Sequence, residues 1–217
     1  MIRHVIWDWN GTLLDDVNSC VEVLNGMLLR RGLPYVTRKY YKERFGFPVR
    51  PFYEGLGFDV SDQAFAALST EFIAQYKSVL AGVTLHDGAL DVMTRLSCVL
   101  EHQVVVSAME HNLLGTMLTN YGVLPHLRSH QGTGDLQASS KIDVGVALVK
   151  ALDLNPSEVL LIGDTEHDLE LAQAIGCRCA LHVGGHQARE RLQATGCDVV
   201  DDLVSVVALV KRYAVAD

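Results

Sequence analysis

The chain has 217 residues, 49% hydrophobic and 20% charged, a balance that excludes intrinsic disorder and suits one large domain or a domain with a smaller insert. Its formal net charge of -8 gives no basic face for nucleic acid, so an anionic ligand needs a local positive site or a bound cation. Five scattered cysteines, Cys20, Cys98, Cys177, Cys179 and Cys197, show no paired metal-ligand spacing and are expected to be reduced thiols.

Met1 runs into Ile2–Trp9 without the basic, apolar and small-residue series of a secretion signal, and no apolar run approaches membrane-spanning length. A cytoplasmic protein with no membrane partner is the expectation. His4–Asp8 reads as a buried strand. From about Asp16 to Gly82 the patterns are helical only: Val17–Arg30, a short piece near Thr37–Arg44, and a long one from Ser61 that aligns Phe65, Leu68, Phe72 and Tyr76. Phe45–Gly57, rich in Gly, Pro and aromatics, reads as loop with short turns. Beyond it, helical spacing over Asp87–Leu100, Glu110–Tyr121, Ser140–Leu152 and Glu166–Ile175 alternates with apolar strands at Gln103–Ser107, Glu158–Gly163 and Cys179–Val183. Alternation of this kind predicts an α/β fold: a Rossmann-like parallel sheet with helices on both faces. Residues 1–15 and 83–217 would form that core, and 16–82 a small all-α cap over the strand ends where ligands bind.

Four signals fall where this sheet would bring them together. Asp8-Trp9-Asn10-Gly11-Thr12-Leu13-Leu14-Asp15 follows the first strand, although Asn-Gly is equally a hairpin signal. Ser107 closes Val104-Val105-Val106 and by itself reads as a helix cap. Lys141 opens a helix and by itself reads as a solvated lysine. Gly163-Asp164-Thr165-Glu166-His167-Asp168 follows another strand, and capping explains one of its two aspartates comfortably but not both. Three carboxylates, a hydroxyl and a lysine at one sheet edge call for a cation, and oxygen-only ligands suit Mg²⁺.

The order and spacing of these signals resemble the haloacid-dehalogenase-like hydrolases, especially the phosphoglycolate-phosphatase-like branch with a helical cap after the first strand. The resemblance spans nearly the whole chain. It implies a Mg²⁺-dependent phosphatase acting on a small phosphorylated metabolite. Asp8 would attack phosphorus and form an aspartyl-phosphate. Metal contacts would come from Asp8, the Asn10 carbonyl and Asp164, with Asp168 a ligand or its support. Ser107 and backbone amides such as that of Ala108 would hold the transferring group, with Lys141 placing positive charge against it. Trp9, Gly11, Thr12 and Arg50 are further candidates for substrate contact.

One position departs from the pattern. Asn10 stands where the family's Asp-x-Asp opening has its second acid, whose side chain protonates the leaving oxygen and activates water. An amide cannot do this, and general acid–base help is typically worth about 10²–10⁴-fold. A slow phosphatase, one preferring acyl or anhydride phosphates, or one borrowing another acid is therefore expected, and Asn10→Asp is expected to speed esters with poor leaving groups. Asp16 likewise replaces the serine usual after Leu-x-Asp, and Ile142 the proline usual after the lysine.

Other residues read more blandly. Trp9 either narrows the pocket or packs. Arg44 and Arg50 suit surface ion pairs as well as a substrate anion, and Lys39 and Lys42 carry no sign of a Schiff-base lysine. His167 reads as capping or surface, while His182 and His186 read as structural residues of the Gly184-Gly185 turn; His111 is a minor candidate for the site. Two rivals remain: a metal-independent carbon–halogen hydrolase, against which the Asp164–Asp168 pair counts, and a non-catalytic metal-binding module, supported only by Asn10. No Gly-x-x-x-x-Gly-Lys run indicates a nucleotide-triphosphate loop.

Overall fold

Strand β1 (His4–Trp7) leads through a tight loop to the two-residue strand β2 (Leu14–Asp15) and then into four helices, α1 (Val17–Leu29), α2 (Arg38–Arg44), α3 (Val49–Gly55) and α4 (Asp62–Val79). The chain returns through β3 (Thr84–Leu85), which pairs antiparallel with β2, and continues as α5 (Ala89–Ser97), β4 (His102–Glu110), α6 (His111–Asn120) and β5 (Ser129–Thr133). Then follow α7 (Lys141–Ala151), β6 (Val159–Gly163), α8 (Glu166–Ile175), β7 (Arg178–His182), α9 (Arg189–Ala194), β8 (Asp198–Val200) and α10 (Ser205–Val215). This computed structural model describes residues 1–134 and 141–215. Ser140, the expected start of the helix ending near Leu152, lies outside the described residues.

Six strands form one parallel sheet in the order β5-β4-β1-β6-β7-β8. From β1 the chain builds outward to β4 and β5, then crosses back and builds the other way through β6, β7 and β8. The winding therefore switches beside β1, and the crevice at its C-terminal end lies between the ends of β4 and β6.

Alternation along the strands decides which layer each residue joins. Val5, Trp7, Val105, Leu160 and Ile162 face one core with α5, α6 and α10 residues such as Met93, Leu114 and Val206. Ile6, Val104, Val106, Val159 and Leu161 face the other, against Leu148 and Val149 of α7, Leu171 of α8 and Leu192 of α9. The first core continues into the helical cap through Val17, Leu24, Leu68 and Tyr76.

Two expectations need correction. Phe45–Gly57 is not loop throughout, since Val49–Gly55 is helical. Pro51 sits inside its first turn, where a missing N–H costs no hydrogen bond, and Phe52 and Tyr53 are buried by it. The edge strands β5 and β8 gave no apolar run because edge residues face solvent on one side; β5 reads Ser-His-Gln-Gly-Thr.

Leu114 is fully buried against the sheet, whereas Val146 on α7 is 38% exposed. Leu114→Ala is expected to cost about 2–5 kcal/mol, and Val146→Ala less than about 0.5 kcal/mol, in urea unfolding of the two variants.

Candidate active site

Asp8 follows β1 and Asp164 follows β6, on adjacent parallel strands in register. The Asp8 N–H donates to the Ile162 carbonyl at 2.8 Å, continuing the sheet one residue past β1. Asp168 lies one turn into α8, and its Oδ2 accepts from the Asp164 N–H at 3.1 Å, the Thr165 N–H at 3.0 Å and the Thr165 hydroxyl at 2.8 Å. This reciprocal capping turns Asp168 back toward the strand end. The carboxylates of Asp8, Asp164 and Asp168 each offer an oxygen within 4.8 Å of the others, and all three residues are buried.

Lys141, also buried, is the cation they share. Its Nζ lies 2.7 Å from Asp8 Oδ1 and also donates to Asp168 Oδ1. The remaining donors divide the carboxylates by role. Asp8 Oδ1 also accepts the Trp9 N–H at 2.7 Å, while Oδ2 has no protein donor among the described residues. Asp164 accepts from the Thr12 hydroxyl at 2.8 Å and from the His186 N–H at 2.6 Å. Asp168 has both oxygens engaged.

Burial, which removes water from the carboxylate, pushes Asp8 well above its ordinary pKa against the pull of Lys141, with Asp168 and Asp164 adding repulsion. Burial likewise raises Asp164 to about 6, although the His186 charge opposes it. Asp168 feels the same burial, but Lys141 and the Thr165 donors outweigh it and hold it low. The Lys141 ammonium, disfavoured by burial, is raised by Asp168 and Asp8.

A second group adjoins the first. Asp16, 1% exposed, is the residue before α1, yet its carboxylate does not cap that helix. It turns instead to the Gly11 N–H at 2.8 Å, Asn10 Nδ2 at 2.8 Å, the Tyr76 hydroxyl at 2.6 Å and His186 Nε2 at 3.2 Å. Burial alone would lift Asp16, and His186 with these donors brings it down to about 2. His186, which burial would lower, is raised to about 9 by Asp16. Asp16, Cys20 and His186 could by spacing hold an ion, but the imidazolium already supplies Asp16's counter-charge. Among the described residues four buried carboxyl groups thus face two buried cationic groups, and the two whose ionisation burial opposes on balance, Asp8 and Asp164, lie on the same side. A divalent cation with oxygen ligands matches both the donor set and that deficit.

Close packing holds the loops in place. Gly11 has φ +75°, and a Cβ there would meet Asp164 Oδ2 at 2.4 Å. At Gly185 a Cβ would meet the same oxygen at 2.2 Å, and at Gly163 it would meet Asp168 Cγ at 2.1 Å. The cap reaches this edge through Tyr41, whose hydroxyl is 3.0 Å from His186 Nδ1, and through Lys42, which donates to the Val183 carbonyl at 2.8 Å.

The structure thus brings Asp8, Asn10, Lys141, Asp164 and Asp168 to one edge, and Ser107 is buried at the neighbouring end of β4, its hydroxyl accepting the Met109 N–H at 3.0 Å. Ala108 beside it is exposed. Other expected contacts are corrected. Trp9 is fully buried in the first core, edge-on to Tyr121, so its indole packs rather than lining a pocket. Thr12 gives its hydroxyl to Asp164, and the Gly11 amide is taken by Asp16. Arg50 is held within the cap by Asp62, the Val60 carbonyl and the Phe65 ring, while Arg44 lies over Tyr40. His111 stacks on His130. Asp16, Tyr76 and His186 were missed. Asp16 alone left a trace, as a departure from the serine usual there.

The Asp16–His186 pair sets a pH window. Asp16 is lowered from 3.8 to about 2, so its contribution is present above 3.8 and lost as pH falls through about 2. His186 is raised from 6.5 to about 9, so its contribution is complete below 6.5 and lost as pH rises through about 9. In chelator, the stability gap between the natural protein and His186→Gln is expected to be widest between pH 3.8 and 6.5 and to narrow toward pH 9. Urea unfolding at pH 6 and 9.5 checks this, and a gap that ignores pH rules out the charged pair.

Residues 5–182 match the model of the haloacid dehalogenase-like hydrolase family. N-acetylmuramic acid 6-phosphate phosphatase of Pseudomonas putida is 27% identical, with 93% of this chain and 92% of that protein covered. Phosphoglycolate phosphatase 1 of Pseudomonas aeruginosa is 23% identical over 93% of this chain and 77% of its own length. Among solved structures, a haloacid dehalogenase-like protein of unknown function from Agrobacterium tumefaciens superposes with a TM-score of 0.82 at 22% identity, with both chains covered completely. Strand order, carboxylate placement and this match converge: the chain belongs to the haloacid dehalogenase-like hydrolases.

Proposed function

We propose that the protein is a Mg²⁺-dependent phosphatase acting on a small phosphorylated metabolite through an aspartyl-phosphate on Asp8. The observation that carries this reading is the asymmetry of the Asp8 carboxylate. Oδ1 is bound by Lys141 and the Trp9 amide, and Oδ2 has no protein donor among the described residues, in a group of carboxyl groups that outnumber their cationic partners. The same edge is roofed by the cap contacts of Tyr41 and Lys42, which favours a small substrate. Residues 16–82 serve in this reading as the cap of a core formed by 1–15 and 83–217. Its relatives named for phosphoglycolate and N-acetylmuramic acid 6-phosphate support the phosphatase class.

Asp8 and Asp164 would hold the ion, with the Asn10 carbonyl completing the protein's share. Asp168, its oxygens already engaged, would fix Lys141 and the Asp164 backbone. Bound there, Mg²⁺ would supply positive charge that offsets the repulsion between the nucleophile and the phosphoryl group. Asp8 Oδ2 attacks phosphorus in line, and the bond to the leaving oxygen breaks as the aspartyl-phosphate bond forms. Lys141, pinned between Asp8 and Asp168, opposes the rise that burial imposes on Asp8 and would neutralise charge on the phosphoryl group. Ser107 and the Ala108 amide would steady that group. Water then cleaves the acyl phosphate and restores Asp8. Asn10 has no proton to give, so leaving groups that depart as stable anions turn over fastest.

Phosphate release from an aryl phosphate, an acyl phosphate, phosphoglycolate and N-acetylmuramic acid 6-phosphate tests the reading. Activity is expected with Mg²⁺, lost with chelator, and reduced by more than about a thousandfold in Asp8→Asn. Halide release unaffected by chelator would favour the dehalogenase, and no turnover of any kind the non-catalytic module.

A further inference from the structure

The side chain at position 10 is governed by its neighbours. Asn10 Nδ2 lies 2.8 Å from Asp16 Oδ2 and 2.8 Å from the Tyr76 hydroxyl, and that hydroxyl lies 2.6 Å from the same Asp16 oxygen. A carboxylate accepts, so Tyr76 donates its single proton to Asp16, and the Asn10 amide nitrogen donates to Asp16 and to the Tyr76 oxygen. A flipped amide would set Oδ1 against the Asp16 carboxylate, so Oδ1 is turned away from it.

Asp16 is fixed as firmly. Besides Asn10 and Tyr76 it accepts from the Gly11 N–H and His186 Nε2, and the Cys20 thiol lies 3.6 Å from Oδ2. It forgoes capping its own helix to meet these donors. A buried oxygen surrounded by donors tolerates another donor at position 10 and not a second ionised carboxylate; at 2.8 Å an acid there would keep its proton and direct it to Asp16 rather than to a leaving group.

We propose that Asp16 is a positioning residue that imposes the amide at position 10: with Tyr76 from the cap it locks Asn10, and positions 10 and 16 together accommodate one carboxylate, not two. Asn10→Asp by itself therefore does not speed poor leaving groups, contrary to what the sequence alone suggests. Only the variant that also neutralises residue 16 does so. The catalytic half of this inference rests on the phosphatase reading; the structural half does not.

A double-mutant cycle on the full-length protein separates the two. Asn10→Asp is expected to lower Tm by several degrees, and Asn10→Asp/Asp16→Asn to recover most of that loss. Additive Tm changes, or an Asn10→Asp protein as stable as the natural one, overturn the proposal. If the double variant does not fold, the Asn10 side-chain NH₂ resonances decide. They are expected to be slow to exchange in the natural protein and fast in Tyr76→Phe, and identical exchange in both overturns the lock. With Mg²⁺, kcat on an alkyl phosphate is expected to rise at least about tenfold in the double variant and not in Asn10→Asp, while an acyl phosphate changes little. A rise in the single variant equal to that in the double overturns the proposal. Absence of turnover in every variant counts against the phosphatase reading alone, since the Tm cycle and the amide resonances still decide the structural claim.

Discussion

The organisation of this protein turns on an excess of buried negative charge. Asp8, Asp16, Asp164 and Asp168 are all withdrawn from water, against Lys141 and His186. A desolvated carboxylate without a counter-charge costs several kcal/mol or takes up a proton. The excess is confined to one sheet edge, where the donor set suits a divalent ion that would offset it. Lys141 stands at the centre, facing Asp8 on one side and Asp168 on the other. A single ammonium thus links the end of β1 to the first turn of α8.

The second pair, Asp16 and His186, joins regions far apart in the chain. Asp16 follows β2, His186 follows β7, and Tyr76 and Tyr41 come down from the cap. The His186 backbone meets Asp164 while its ring meets Asp16. The cap therefore meets the carboxylate edge through hydrogen bonds of ordinary length, Tyr76 at Asp16 and Tyr41 at His186.

How much of this the sequence made legible depended on the kind of force involved. The central strands were readable because Val104-Val105-Val106 and Leu160-Leu161-Ile162 are buried on both faces. The edge strands β5 and β8 were not, since half their residues need no apolar character. Asp8, Lys141, Asp164 and Asp168 emerged from spacing and resemblance because each stands at a strand end or a helix start. Asp16, Tyr76 and His186 were opaque, being 60 and 170 residues apart along the chain and joined only by tertiary packing. Trp9 and Arg50 each carry two readings in the sequence, and the packing and ion-pair readings match the structure: the Trp9 indole lies in the core beside Tyr121, and Asp62 and Phe65 engage Arg50.

In the proposed reaction an amide at position 10 would narrow the chemistry without disabling it. General acid help contributes roughly 3–5 kcal/mol of barrier when the leaving oxygen needs a proton. For an acyl phosphate or an anhydride the leaving oxygen departs as a stabilised anion, and that contribution is scarcely drawn upon. Charge neutralisation and alignment remain, and these do not depend on residue 10 bearing a proton: they come from Lys141 on Asp8 Oδ1 and from the ion the neighbouring carboxylates suit. In the proposed phosphatase the side chain at position 10 would divide substrates by leaving group rather than by shape. Because Asp16 and Tyr76 hold that side chain, the division would be set partly by the cap, an element that need not touch the reacting phosphorus at all.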